Sequence, residues 1–127
     1  LELADSDETK LKLFVDKHSG GNNLLQIWLQ PKGPDTCYPF YPQESPRLSY
    51  SLPEFDLEMP YYPTEFTQVN PYINQQMVSL AMKLLQAEGS ETIADFFCGI
   101  GNFTLPIARA AKQVIGVEGA DALVKRA

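Results

Sequence analysis

Residues 95–108 read DFFCGIGNFTLPIA, with two glycines one residue apart at the end of an apolar run. Glycine at 99 and 101 permits a tight turn and lets the backbone approach a ligand with no β-carbon in the way. Asn102 follows with a side chain able to bond polar groups. Glu118, nineteen residues after Gly99, ends the next apolar run. A carboxylate placed there can accept hydrogen bonds from both hydroxyls of a ribose. Such an arrangement begins a nucleotide or nucleoside pocket, and taken alone it suits NAD and S-adenosylmethionine (AdoMet) equally well.

Two details favour AdoMet. The dinucleotide pattern GxGxxG needs a third glycine at position 104, where this chain has Thr104. A pyrophosphate needs mainly bare backbone N–H groups, whereas AdoMet has no phosphate and gains more from a side chain such as Asn102. Asp95 reads equally as a carboxylate ordering the turn through backbone N–H bonds and as an ordinary strand-end acid.

The remaining reactive side chains read more plainly. Cys98, inside the turn, is expected to be a buried structural thiol. Cys37 lies among prolines with no histidine or basic neighbour to activate it. His18, the only histidine, falls in a Gly/Asn-rich turn and reads as a surface residue. Two cysteines form neither a disulfide framework nor a CxxC metal cluster, which points to a reducing compartment and no metal site. Trp28, Tyr38, Phe40, Tyr41, Tyr61 and Tyr62 lack interleaved basic residues and read as packing rather than base stacking.

The elements that position these groups follow from periodicity. Residues 5–17 predict a short helix with acids in its first turn and lysines after them. A turn at 18–23 leads to a strand at 24–29. Residues 30–47 contain five prolines and one glycine and predict irregular connection or edge structure. Short strands are expected at 48–52 and 55–59, around Pro53. From Pro63 the character changes: 64–69 looks extended, and Asn70-Pro71 starts a helix, with Asn as N-cap. Ile73, Met77, Leu80, Ala81, Leu84 and Leu85 form an apolar stripe expected to be core, and Gly89 closes the helix. A buried-type strand at 92–97, the turn at 99–102, a helix at 103–111, a strand at 113–117 and a helix from Asp121 complete the order. That order is half of an open α/β sheet.

The chain has 127 residues, 44% hydrophobic and 20% charged, so a folded core is expected. Its net charge of −6 is uneven, with −5 in residues 1–62 and −1 in 63–127. Neither part has the basic surplus of a self-sufficient nucleic-acid binder. No apolar run approaches the roughly 18 residues of a membrane span, and the first residues, LELADSDETK, do not read as a signal peptide. There is no initiator Met, and the last residues read as helix, so a piece of a longer protein is expected.

Three segments, DFFCGIGNFTLPIA, VIGVEGADALV (114–124) and FTQVNPYINQQMV (66–78), resemble the bacterial RNA uracil-5-methyltransferases, with the fit nearest the branch that modifies 23S ribosomal RNA. The resemblance is specific from about Glu65 onward. It is looser before that, where LQIWLQPKGPD (25–35) is the most familiar stretch. It implies an α/β chain in two parts: residues 1–62 as the end of a smaller central α/β domain, and 63–127 as the N-terminal half of a class I, Rossmann-like AdoMet methyltransferase domain.

Carried over by motif, AdoMet contacts fall on Gln68, Phe97, Asn102 and Glu118, with Gly99 and Gly101 forming the turn. The reaction requires a cysteine thiolate to add to uracil C6, making C5 nucleophilic toward the methyl group, and a base to remove the C5 proton. The family places both groups well downstream, so no catalytic residue is expected among these 127. An iron–sulfur cluster, an RNA-binding domain and RNA as partner are implied for the full-length family member alone, in the cytoplasm. Weak or no RNA binding is expected of this chain by itself. Uncovered sheet faces predict self-association into a homo-oligomer. A non-catalytic AdoMet-binding or interaction module stands as the alternative, and a dinucleotide-binding oxidoreductase as a third, weakened by Thr104.

Overall fold

The computed structural model describes residues 3–21, 23–44 and 48–125. Asn22 of the expected turn, residues 45–47 of the proline-rich stretch, and residues 126–127 of the last helix lie outside the described residues. The chain divides into two compact units, Leu1–Arg47 and Leu48–Ala127.

In the first unit, helix α1 (Asp5–His18) carries Asp5, Asp7 and Glu8 in its first turn and Lys17 and His18 in its last, charges that complement the helix dipole. Val15 is its buried residue. Strand β1 (Ile27–Leu29) pairs antiparallel with β2 (Tyr38–Tyr41), with an irregularity between Ile27 and Trp28. The strand is shorter than the expected 24–29. The proline-rich stretch supplies its partner, since a strand with one free edge can hold Pro39. Gln26 accepts from the Trp28 indole N–H (2.7 Å) and donates to the Pro42 carbonyl (2.8 Å). Tyr41 donates to Asp16 (2.8 Å). Trp28 and Tyr41 thus bond within the unit, while Tyr38 is 46% exposed.

The second unit opens with an antiparallel hairpin, β3 (Leu48–Leu52) and β4 (Leu57–Tyr61), in unbroken register from Leu48 opposite Tyr61 to Leu52 opposite Leu57. The second strand starts two residues later than expected. Pro53–Phe55 form a single 3-10 turn, and Asp56 takes the left-handed conformation (φ 52°) that reverses the chain. Leu52 and Met59 are buried and meet Val78 of helix α2 (Pro71–Leu85) in one core, against which Met82, Phe103 and Leu105 pack. The hairpin, which composition assigns to the first part of the chain, thus shares its core with the second.

Helix α2 begins as its sequence dictates. The Asn70 side chain accepts from the N–H groups of Tyr72 (3.0 Å) and Ile73 (3.1 Å), and Pro71 takes the first helical position. Its end and its buried face differ from expectation. Gln86, not Gly89, adopts the left-handed cap (φ 50°), with its N–H on the Met82 carbonyl. Asn74 and Val78 are buried, while Leu80 is 58% and Leu84 75% exposed. The stripe at 73, 77, 80 and 84 is apolar at helical spacing, yet the hairpin covers the face one position round. Spacing says which residues gain from burial, not which element covers them.

Strand β5 (Thr92–Phe96), helix α3 (Thr104–Ala110) and strand β6 (Gln113–Val117) form a β-α-β unit in which the strands pair in parallel, Thr92 opposite Gln113 through Phe96 opposite Val117. Pro106 sits in the first turn of α3, where a proline is tolerated. β5 is not the buried strand its composition suggests. Among the described residues it pairs with β6 alone, and Phe96 is 67% exposed. A short helix, α4 (Asp121–Val124), follows. No helix among the described residues is long and apolar enough to cross a membrane.

Candidate cofactor site

The site grows from the two parallel strand ends. Past β5 the chain bends at Phe97, a non-glycine residue with φ 63°, while the N–H groups of Phe97 (2.7 Å) and Cys98 (3.2 Å) both reach the Val117 carbonyl. A bulky side chain in left-handed backbone is costly and persists where its surroundings hold it. Here the bend turns Phe97 outward, 92% exposed. Gly99 (φ 56°) and Gly101 (φ 94°) complete the turn, and the Gly101 N–H closes on the Cys98 carbonyl at 2.8 Å. A β-carbon on Gly101 would lie 3.2 Å from Leu105 of α3, so conformation and space both call for glycine there.

Glu118 fastens this turn to the end of β6. One carboxylate oxygen accepts from the Gly99 N–H (3.0 Å), the other from the Ala120 N–H (3.0 Å). The backbone donors at Ala120 and Gly99 hold the Glu118 carboxyl below its ordinary range. Each oxygen keeps a further lone pair for an outside donor.

Asp95 accepts from the Thr104 hydroxyl at 2.6 Å, so it orders the turn through a side chain rather than through backbone N–H groups. The Thr104 methyl lies 3.5 Å from where a β-carbon on Gly116 would stand. Close helix-on-strand packing, the office of a third glycine in a dinucleotide turn, is served here by a strand glycine facing a threonine.

Asn102 is held from two sides. Its oxygen accepts from the Tyr50 hydroxyl (2.8 Å) and from the Asn74 amide (2.9 Å), and its own amide donates back to Asn74 (2.9 Å). Asn74 is 3% exposed, and burial pushes the Tyr50 hydroxyl up to about 12.

Gln68, Phe97, Gly99 and Asn102 line one cleft of about 200 Å³, with Tyr50 and Asp95 among its other walls. Gly101 and Glu118 are not on its wall; Gly101 bonds the wall residue Cys98, and Glu118 bonds the wall residue Gly99. Tyr50, Thr67 and Gln68 also line a second hollow of about 690 Å³. In the stretch at 64–69, Thr64 lies in a turn, Glu65 and Val69 in bends, and 66–68 belong to no helix, strand or turn. Of the groups set aside, His18 bonds the Phe14 carbonyl (2.7 Å) on α1, and both cysteines are free. No cluster of metal-ligating side chains occurs among the described residues.

Sequence reasoning passed over Tyr50, Asn74 and Gly116. Asn74 had a readable signal: 74, 78 and 82 also fall at helical spacing, and a polar residue in a core stripe demands a partner. Gly116 had one too, as an isolated glycine within a strand marks a close approach.

A parallel strand pair carrying a glycine turn at one C-terminal end and a carboxylate at the other is the ligand edge of an α/β unit. Residues 48–127 match the family described as tRNA (Uracil-5-)-methyltransferase, and the chain belongs to that family. It is 62% identical over 126 residues to the 23S rRNA (uracil(1939)-C(5))-methyltransferase RlmD of Chromobacterium violaceum, covering 99% of this chain and 24% of that protein. The protein of the same name from Nitrosospira multiformis is 55% identical over 125 residues, covering 98% of this chain and 27% of the relative. The one from Ralstonia pickettii is 54% identical, covering 98% and 26%. The chain thus spans about a quarter of the length of the curated relatives it matches.

Proposed function

We propose that this chain forms the cofactor-binding part of an AdoMet-dependent RNA (uracil-C5) methyltransferase that acts on 23S ribosomal RNA in the cytoplasm. In this reading the β5-α3-β6 unit opens a Rossmann-like sheet, and residues 1–47, the unit before the hairpin, end a preceding α/β domain. The observation that carries it is the Glu118–Gly99 pairing beside a cleft lined by Gln68, Phe97 and Asn102.

These groups suit AdoMet. The exposed Phe97 ring offers an apolar face, Gln68 an amide, Asn102 an N–H, and Glu118 the lone pairs that two ribose hydroxyls would use. Bound there, AdoMet would supply an electrophilic methyl group. The chain's own residues bind and orient; none serves as nucleophile or base. Cys98 is packed against Gly116, and both cysteines are free. RNA contact belongs to the full-length enzyme, because a surface of net charge −6 does not grip a phosphate backbone.

The test is a calorimetric titration of the chain with S-adenosylhomocysteine, run beside NAD and a Glu118→Ala variant. Binding of S-adenosylhomocysteine that the substitution weakens supports the reading. Preferential binding of NAD would sink it.

A further inference from the structure

We propose that Tyr50 and Asn74 are positioning residues that hold the Asn102 amide with its oxygen engaged inside the protein and one N–H free, so that the cleft presents a donor there and takes a ligand acceptor. The proposal rests on the AdoMet reading of the cleft. An asparagine side chain has two acceptor sites on oxygen and two N–H donors. Tyr50 and Asn74 occupy both acceptor sites, at 2.8 and 2.9 Å, and Asn74 takes one donor, at 2.9 Å. The second N–H has no partner among the described residues, and Asn102 lines the cleft.

The two positioning residues have different tasks. A reciprocal pair of amides keeps both its bonds if both side chains turn over together, so Asn74 alone fixes the plane of Asn102 but not its polarity. The Tyr50 hydroxyl breaks that symmetry: its oxygen could accept from a turned-over NH₂, but its part-buried proton would then lose the one acceptor it has among the described residues. Three separate segments, the hairpin, α2 and the turn after β5, thereby converge on one amide. An AdoMet-type ligand offers ring nitrogens, a carboxylate and ribose hydroxyl oxygens as acceptors, and an amine, an ammonium and hydroxyl protons as donors. The acceptors alone suit Asn102.

The test is an NMR titration of the ¹⁵N-labelled chain with S-adenosylhomocysteine, with Asn102→Asp and Tyr50→Phe as variants. In the free chain one Asn102 side-chain proton should exchange slowly, paired to Asn74, and the other fast. Ligand should move the fast one. Asn102→Asp keeps both internal acceptor bonds but has no donor, and should weaken binding about tenfold. Tyr50→Phe should scramble the two proton environments and weaken binding severalfold. This variant decides the matter if Asn102→Asp does not fold. A purely structural role would move neither the free proton nor the affinity. Binding that leaves this proton unshifted, or that survives Asn102→Asp within twofold, overturns the donor assignment and leaves the AdoMet reading standing. A folded wild-type chain that binds no S-adenosylhomocysteine overturns both.

Discussion

The Sγ of Cys98 lies 2.9 Å from where a β-carbon on Gly116 would stand. A cysteine in the turn after one strand thus fills space that a glycine in the neighbouring strand leaves open. Gly116→Ala should destabilise by about 1–3 kcal/mol, the usual cost of overpacking. Cys98→Ala in the same chain should return most of that loss. A thermal double-mutant cycle checks this, and simple additivity of the two substitutions would show that they do not share the space.

Acid should loosen the turn before it unfolds the chain. The folded-state value of Glu118 is depressed by backbone donors at Ala120 and Gly99, so its contribution is present above the unfolded glutamate value and is lost as pH falls through the folded one. The amide proton shifts of Gly99 and Ala120, followed with pH, should titrate with a midpoint below 4.5, the ordinary value of the group. Glu118→Gln should abolish that transition. Glu91, lowered by backbone donors of its own segment, adds a separate change of the same sign that the substitution leaves in place. A Gly99 midpoint at or above 4.5 would mean that the carboxylate does not hold the turn.

Thr104→Val keeps the methyl that faces Gly116 and removes the hydroxyl bonded to Asp95. With Asp95 partly exposed, the expected loss is about 1 kcal/mol, read as a lower urea midpoint with an unchanged slope. Thr104→Gly restores GxGxxG and should cost more, because glycine also weakens the first turn of α3. It should not create NAD affinity. A gain of NAD binding would return the dinucleotide reading to contention.

The uncovered side of α2 invites association. Ile73, Leu80 and Leu84 are exposed on it, and Phe96 and Ile115 are exposed on the strand pair. The 127-residue chain on its own should sediment as a concentration-dependent oligomer, and a Leu80→Glu, Leu84→Lys double variant should shift it toward monomer. A compact monomer at all concentrations would refute the expectation.

The local parts of the fold were legible because their signals are local. Asn70-Pro71 reads as a helix start and caps α2 as such a pair should, and the helix-strand-turn-helix-strand order appears as expected from 71 to 117. Glu118 and Gly99 could be placed near each other because parallel neighbours put their C-terminal ends side by side. What escaped depended on non-local packing: the face of α2 that the hairpin covers, the exposure of β5, and the capture of Asn102 by residues 28 and 52 positions away. Asn102 was legible as a polar group at the site. Its polarity was not, because that is set by a hairpin assigned to another part of the chain.

The bond from Glu118 to Gly99 spans the whole of α3 and β6. Its two ends meet only when β6 lies beside β5 in correct register, since a slip of one residue would carry the carboxylate past the turn. Assembly of the rim is therefore a long-range folding event and not a property of the glycine loop. A small molecule that recognises the completed rim reports strand pairing as much as turn chemistry. By mass action it would draw the chain toward the paired state, acting as a template for the very element that receives it.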